Sequence, residues 1–181
     1  NYNGIATVNG HSYAEKRTQN TNFALLVSEK FTEPFKEPIA YGQHVARLAN
    51  MLSGGILVQR FGDLLDGRRS TPDRIKASII TPTLQCATPG DLSLVLPYRQ
   101  MTAIIEMLQA LDKIAPGVAS RYTLLYGIEV KFYSGRVKLT KELETEQVKN
   151  LFTIGDGAGV TRGLIQASAS GVHAARVICS R

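Results

Sequence analysis

The residues with the most chemistry in their spacing are Gly155-Asp156-Gly157-Ala158-Gly159, with Arg162-Gly163 just behind them. A short apolar run, Leu151 to Ile154, leads into this loop. A helix rich in small residues (Ala167, Ala169, Gly171, Ala174, Ala175) leaves it. Glycines let backbone approach a ligand with no Cβ in the way. The first turn of a helix adds unpaired N–H groups and the positive end of its dipole. Such a corner receives a phosphate or an electron-rich ring edge. Asp156 would repel a phosphate placed beside it, so its carboxylate is better used accepting hydrogen bonds from hydroxyl groups. The small residues imply close packing of the helix against a sheet or a cofactor. The plain alternative is a strand–turn–helix whose glycines only permit a tight turn.

Other phosphate loops do not fit. The dinucleotide fingerprint G-x-G-x-x-G needs glycine at Val160 or Arg162. No Gly-Lys-Ser/Thr tripeptide is present for a Walker loop. A methyltransferase-type G-x-G-x-G would need further β–α units after it and an acid on the preceding strand; the sequence offers neither.

The elements that must position this corner are read from periodicity. Residues 4–21 are polar and irregular, with at most one short strand. Phe23 to Val27 reads as a buried strand, and Pro34 and Pro38 punctuate a loop after it. Val45, Leu48, Ala49 and Leu52 recur at helical spacing until Gly54-Gly55. Ile56 to Val58 is a second strand. Residues 62–92, broken by Gly67, Pro72, Pro82 and Pro89, read as loops between brief strands, with a turn at 88–91. Met101, Ile104, Ile105, Leu108, Leu111 and Ile114 form one stripe of a helix stopped by Ala115-Pro116-Gly117. From Tyr122 to Tyr133 every second residue is apolar, a two-residue period with one face on a core. Gly127 in its middle marks a bend or a close approach of another backbone. Ser134-Gly135 then turns into Val137-Lys138-Leu139 as a hairpin. The last helix runs to about Ile178.

Composition bounds the class. A chain 44% hydrophobic and 20% charged is that of a globular protein, not a disordered one. No apolar run reaches the roughly 20 residues of a membrane span, so no membrane partner is expected. The formal charge of +6 raises nucleic acid as a partner. The basic residues are scattered, however, the densest group being Arg68-Arg69 with Arg74 and Lys76, so solvated surface charge is preferred. Cys86 and Cys179 form no C-x-x-C pair, which excludes a dithiol redox centre and a cysteine zinc site. Two cysteines fit a reducing cytoplasm. The start at Asn1, without Met, suggests residues cut from a longer polypeptide. His11, His44 and His173 lack metal spacing, and packing or surface roles suit His173. His11-Ser12-Tyr13 is a substrate-side candidate. Cys86 reads as a small core residue, and Glu129 as a solvated carboxylate.

The stretch LFTIGDGAGVTRGLIQASASGVHAAR at 151–176 resembles the C-terminal flavin motif of two-domain FAD/NAD(P)-binding oxidoreductases. VNGHSY at 8–13, QRFGDLL at 59–65, GDLSLVLP at 90–97 and YGIEVKF at 126–132 resemble segments of the uncharacterised FAD-dependent dehydrogenases in that superfamily, in the same order. The resemblance implies that Gly155 and Asp156 contact the ribityl–phosphate part of FAD, that Gly157, Ala158 and Gly159 shape the turn, and that Arg162, Gly163 and Leu164 lie beside the isoalloxazine. It also implies a substrate (insert) domain at 1–126 and a returning segment of the FAD-binding domain at 127–181. The expected class is α+β, a mixed-sheet substrate domain with helices and then a strand–loop–helix. The N-terminal βαβ unit with G-x-G-x-x-G is missing from this sequence, so the chain alone is expected to hold no flavin. The competing reading is a non-enzymatic binding module with a basic surface for nucleic acid or protein.

Overall fold

A computed structural model describes residues 4–132 and 135–181. The chain is α+β and divides into two compact units, Asn1–Val130 and Lys131–Arg181.

The first unit is built on a three-stranded mixed sheet of order β2-β1-β3. The central strand, β1 (Leu57–Arg60), is parallel to β2 (Thr88–Pro89) and antiparallel to β3 (Leu124–Gly127), with Val58 opposite Tyr126. Alternation along the strands sends side chains to opposite faces. Leu57 and Leu125 join a core with Val45 and Ala49 of α1 (Pro38–Ser53), Phe61 and Leu64 of α2 (Phe61–Leu65), and Met101 and Leu108 of α4 (Tyr98–Leu111). Val58, Leu124 and Tyr126 face the other way, onto Ile75 of α3 (Pro72–Lys76), Leu84 and Ala87. Each fully buried large apolar side chain contributes about 1.5–3 kcal/mol.

The helix anticipated from Ile39 is α1, and Gly54 closes it in the left-handed conformation (φ 68°), its N–H donating to Asn50 O at 2.7 Å. Pro38 belongs to the helix itself, at its first turn, where a missing N–H costs nothing. Asn50 also reaches outward. Its amide accepts from Ala6 N–H and donates to Ala6 O, at 2.7 and 2.8 Å, which ties the irregular leading segment to α1.

Several expectations are corrected. Phe23 to Val27 is no strand: it has no partner strand, only Leu25 packs on the core, and Phe23 is 52% exposed. Residues 62–92 hold two short helices as well as loops, and Thr88-Pro89 is β2, not a turn. In α4 the stripe ends early, with Ile114 beyond the helix and 81% exposed. The long strand from Tyr122 shrinks to four residues, because β1 offers only Leu57–Arg60 to pair with. At Gly127 the close neighbour is the Leu92 side chain, 2.6 Å from where a Cβ would stand, and not a backbone. Cys86 is exposed and Glu129 half-buried. The strand's end at Tyr133 and the turn at Ser134 lie outside the described residues, and Val137 to Leu139 forms only an isolated bridge, Leu139 with Thr145.

The second unit holds a 3₁₀ turn (Asp156–Ala158) and α5 (Leu164–Cys179), so the final helix is as expected. The run before the loop is not a buried strand. Phe152 makes one bridge with Glu144, while Leu151 and Ile154 are each 47% exposed. Among the described residues of this unit no sheet exists to extend it.

Candidate functional site

The glycine loop is held from behind by α5. Ser170 is buried in the helix; its hydroxyl donates to Ala167 O at 2.7 Å and accepts the Gly155 N–H at 3.0 Å. Ala167, Ser170, Gly171 and Ala174 lie on that same inward stripe, as small residues spaced by three and four must. Ile154 packs on Gly171, 3.6 Å from where its Cβ would be.

Three glycines are demanded by conformation: Gly155, Gly159 and Gly163, with φ of 74°, 69° and 125°. Gly159 also abuts Arg136, whose Cα would lie 3.0 Å from an added Cβ. Gly157 faces open space and sits outside the left-handed region. Of Gly157, Ala158 and Gly159, expected to shape the turn, only Gly159 has the left-handed backbone, which Gly155 and Gly163 share. Ala158 is buried and anchors the 3₁₀ turn.

Asp156 stitches the loop shut. Its carboxylate accepts the Thr161 hydroxyl at 2.6 Å and the Gly163 N–H at 3.1 and 3.2 Å. Asp156 is nonetheless exposed. The Arg162 N–H donates to Gln166 Oε1 at 3.1 Å. Behind it, no acceptor among the described residues takes the N–H groups of Leu164, Ile165 or Gln166; the first helical bond is Ala167 N–H to Gly163 O. Leu164 and Ile165 flank that open turn at 88% and 86% exposure. Asp156 and Gly163 are thus brought together at the start of α5, where no described residue takes the N–H groups of Leu164, Ile165 and Gln166.

A second polar cluster escaped the sequence reading. Gln59, Asp63 and Ser70 are essentially fully buried. Asp63 accepts Arg68 Nε at 3.0 Å and the Ser70 hydroxyl at 2.8 Å, with Arg60 and Arg74 each 4.0 Å away. Ser70 Oγ accepts the Arg60 N–H, and Gln59 Oε1 the Leu92 N–H, both at 2.8 Å. Gln59 Nε2 donates to Arg68 O at 2.9 Å. These bonds fasten β1 and α2 to the loops at 68–70 and 91–92. The cluster is a brace, and its signal was an aspartate inside the apolar run Phe61 to Leu65 with arginines just beyond. Nearby, Asp66 is held below the usual carboxylate range by its hydrogen bond to Arg121, at 2.6 Å.

Among the histidines, His11 stacks edge-on with Tyr13 at 5.2 Å in an exposed loop, and His173 Nε2 lies 3.2 Å from Lys141 O. No group of three or more potential metal ligands occurs among the described residues. No helix among them is long and apolar enough to cross a membrane.

A family model described as "FAD-dependent protein, C-terminal domain-like" matches residues 2–132. An uncharacterised protein of Clostridium beijerinckii is 31% identical over 189 aligned residues, which cover 98% of this chain and 34% of that protein. The chain therefore spans about a third of that relative's length.

Proposed function

Because the chain belongs to the family of FAD-dependent protein C-terminal domains, we propose that it is the substrate-side and C-terminal part of an FAD-dependent oxidoreductase. The family match ends at residue 132, before the glycine loop, so loop and match support the reading from separate parts of the chain.

The observation that carries the proposal is the open first turn of α5. The free N–H groups of Leu164, Ile165 and Gln166, at the positive end of a 16-residue helix, suit the electron-rich edge of a flavin ring. Gly155, Gly157, Ala158, Gly159 and Gly163 keep side-chain bulk away from the approach. Asp156, exposed just before that turn, is an acceptor of the kind ribityl hydroxyls need, and Leu164 offers an apolar surface to a flat ring, next to Arg162. These residues fit the group.

When bound, FAD supplies the hydride or electron transfer that side chains cannot perform. The chain's own part is to orient that ring, to neutralise charge at its edge through the helix amides, and to present a substrate domain, proposed at residues 1–126, with 127–181 returning to the flavin domain. A dehydrogenase acting on a small molecule in the cytoplasm is the specific form proposed.

The test compares this chain with a longer polypeptide that joins it to an N-terminal G-x-G-x-x-G unit, on the scale of the Clostridium relative. The longer protein is expected to retain flavin absorbance through dialysis and the short one to stay colourless. A colourless long protein that is folded would overturn the assignment.

A further inference from the structure

We infer that a cleft on the second face of the sheet binds a small organic carboxylate with an apolar body. The inference is independent of the flavin site, which lies on other residues, and needs no cofactor.

The cleft exists because the two faces of the sheet are covered unequally. Leu57 and Leu125 lie under α1 and α4, two helices of 16 and 14 residues. The opposite face receives only the five-residue α3 and the loop that follows it. That thin cover leaves a space of about 440 Å³ reaching down to Val58 of the central strand. Such a volume falls within the roughly 300–1,000 Å³ of small-molecule sites. Val58, Ile75, Leu84 and Ala87 make its inner surface apolar, and three of these are buried cluster members.

Its polar side chains are few, and apart from Ser78, whose hydroxyl accepts the Ile80 N–H at 3.4 Å, they are unspent among the described residues. Lys76 is the one charged residue lining the cleft, is exposed, and has no ion-pair partner among the described residues. Arg74 of the same helix is turned to Asp63 and does not line the space, nor does Asp73. The side chains of Thr81 and Gln85 also line the cleft, and both make no hydrogen bond within the described residues. On the same side of the sheet the Tyr126 hydroxyl is buried against the backbone of Thr83 and Leu84 without a well-formed hydrogen bond. An apolar floor with one unpaired ammonium and neutral donors at the rim complements a carboxylate carrying a hydrocarbon or aromatic body. A neutral ligand would leave the ammonium unanswered, and a cation would be repelled by it.

The test uses 3-phenylpropionate and its neutral counterpart 3-phenylpropanol, titrated into the chain at fixed ionic strength and followed by backbone amide NMR. Saturable shifts for the acid are expected at residues 75–87, with weaker binding of the alcohol. Lys76→Gln is expected to weaken the acid about fivefold and leave the alcohol unchanged. Ile80→Trp, at a lining position away from the floor, is expected to abolish both. No saturation at millimolar ligand, equal affinity for acid and alcohol, or an unchanged acid affinity in Lys76→Gln overturns the inference. Because no flavin is present, none of these outcomes bears on the oxidoreductase reading.

Discussion

Gly159 and Gly157 are two residues apart and look equivalent in the sequence, yet the backbone treats them differently. Gly159 has a φ of 69° and backbone of Arg136 3.0 Å from where a Cβ would stand, while Gly157 has neither constraint. Gly159→Ala should therefore cost about 1–3 kcal/mol, and Gly157→Ala within about 0.5 kcal/mol of nothing, as read by urea unfolding of the chain. Equal costs would mean the loop is not shaped as described. Asp63 makes a sharper case. Removing it leaves the buried Ser70 hydroxyl without its acceptor and takes from Arg68 one of its two carboxylate partners, the other being Asp66. Asp63→Ala is expected to destabilise by about 3 kcal/mol, the low end for a broken buried pair because Arg68 is half in water. A midpoint in urea unchanged from the parent would show that the brace carries no weight.

At the scale of elements, α5 has two faces with different duties. Its inward stripe binds the loop, whereas Ile165, Val172 and Ile178 remain 86%, 52% and 52% exposed. A helix apolar on both sides is one built to be covered. Ile165→Asp is accordingly expected to leave the thermal midpoint of this chain unchanged, and to strip flavin from the longer protein. Loss of stability in the chain alone would place that face in its own core instead. The far end of α5 is fixed by Arg181, which bonds Glu144 and Asn150 and lies over the Phe152 ring. The hydrogen bond from Arg181 holds the Glu144 carboxyl below the usual glutamate range. A carboxyl depressed on folding stabilises the fold above its unfolded pKa and loses that contribution as pH falls through the folded one. The parent's midpoint should therefore drop on acidification below the ordinary glutamate range more steeply than that of Glu144→Gln. Elements of this length were legible: α1 and α4 each carry a periodic stripe and a Gly or Pro stop, and α5 follows its glycine loop as a run of small residues. What was not legible depended on partners. Phe23 to Val27 has strand composition without a neighbour to pair with. Tyr122 to Tyr133 has a strand's alternation, but β1 matches only four of its residues. The corner at α5 was readable because glycine spacing and helix start are local. The brace was not, because Gln59, Asp63 and Ser70 meet only after β1, α2 and the next loop have folded back.

For the whole molecule, the net charge of +6 has to be set against where the cations sit. Within the densest basic group Arg68 pairs with Asp63 and Asp66 and Arg74 with Asp63, and Arg121 beside it pairs with Asp66, which leaves Arg69 and Lys76 as its exposed cations. Cations committed to internal carboxylates release few counterions on meeting a polyanion. Single-stranded oligonucleotide at physiological salt is thus expected to bind no tighter than about 10⁻⁴ M, the weak edge of nonspecific association. A tighter complex whose affinity falls steeply with salt would favour the binding-module reading over the enzyme. The proposed flavin corner is likewise an incomplete surface. A flavoprotein holding FAD at about nanomolar strength has about −12 kcal/mol of binding energy, and half of that corresponds to about 40 μM to 1 mM once the lost orientation of the adenosine end is included. One helix mouth and one carboxylate cannot exceed that half. FAD titrated into this chain should bind within or above that range of dissociation constants or not at all, whereas in the longer protein Asp156→Ala should cost about tenfold or more. Binding much tighter than about 40 μM by this chain would mean that residues 155–164 grip the nucleotide by themselves.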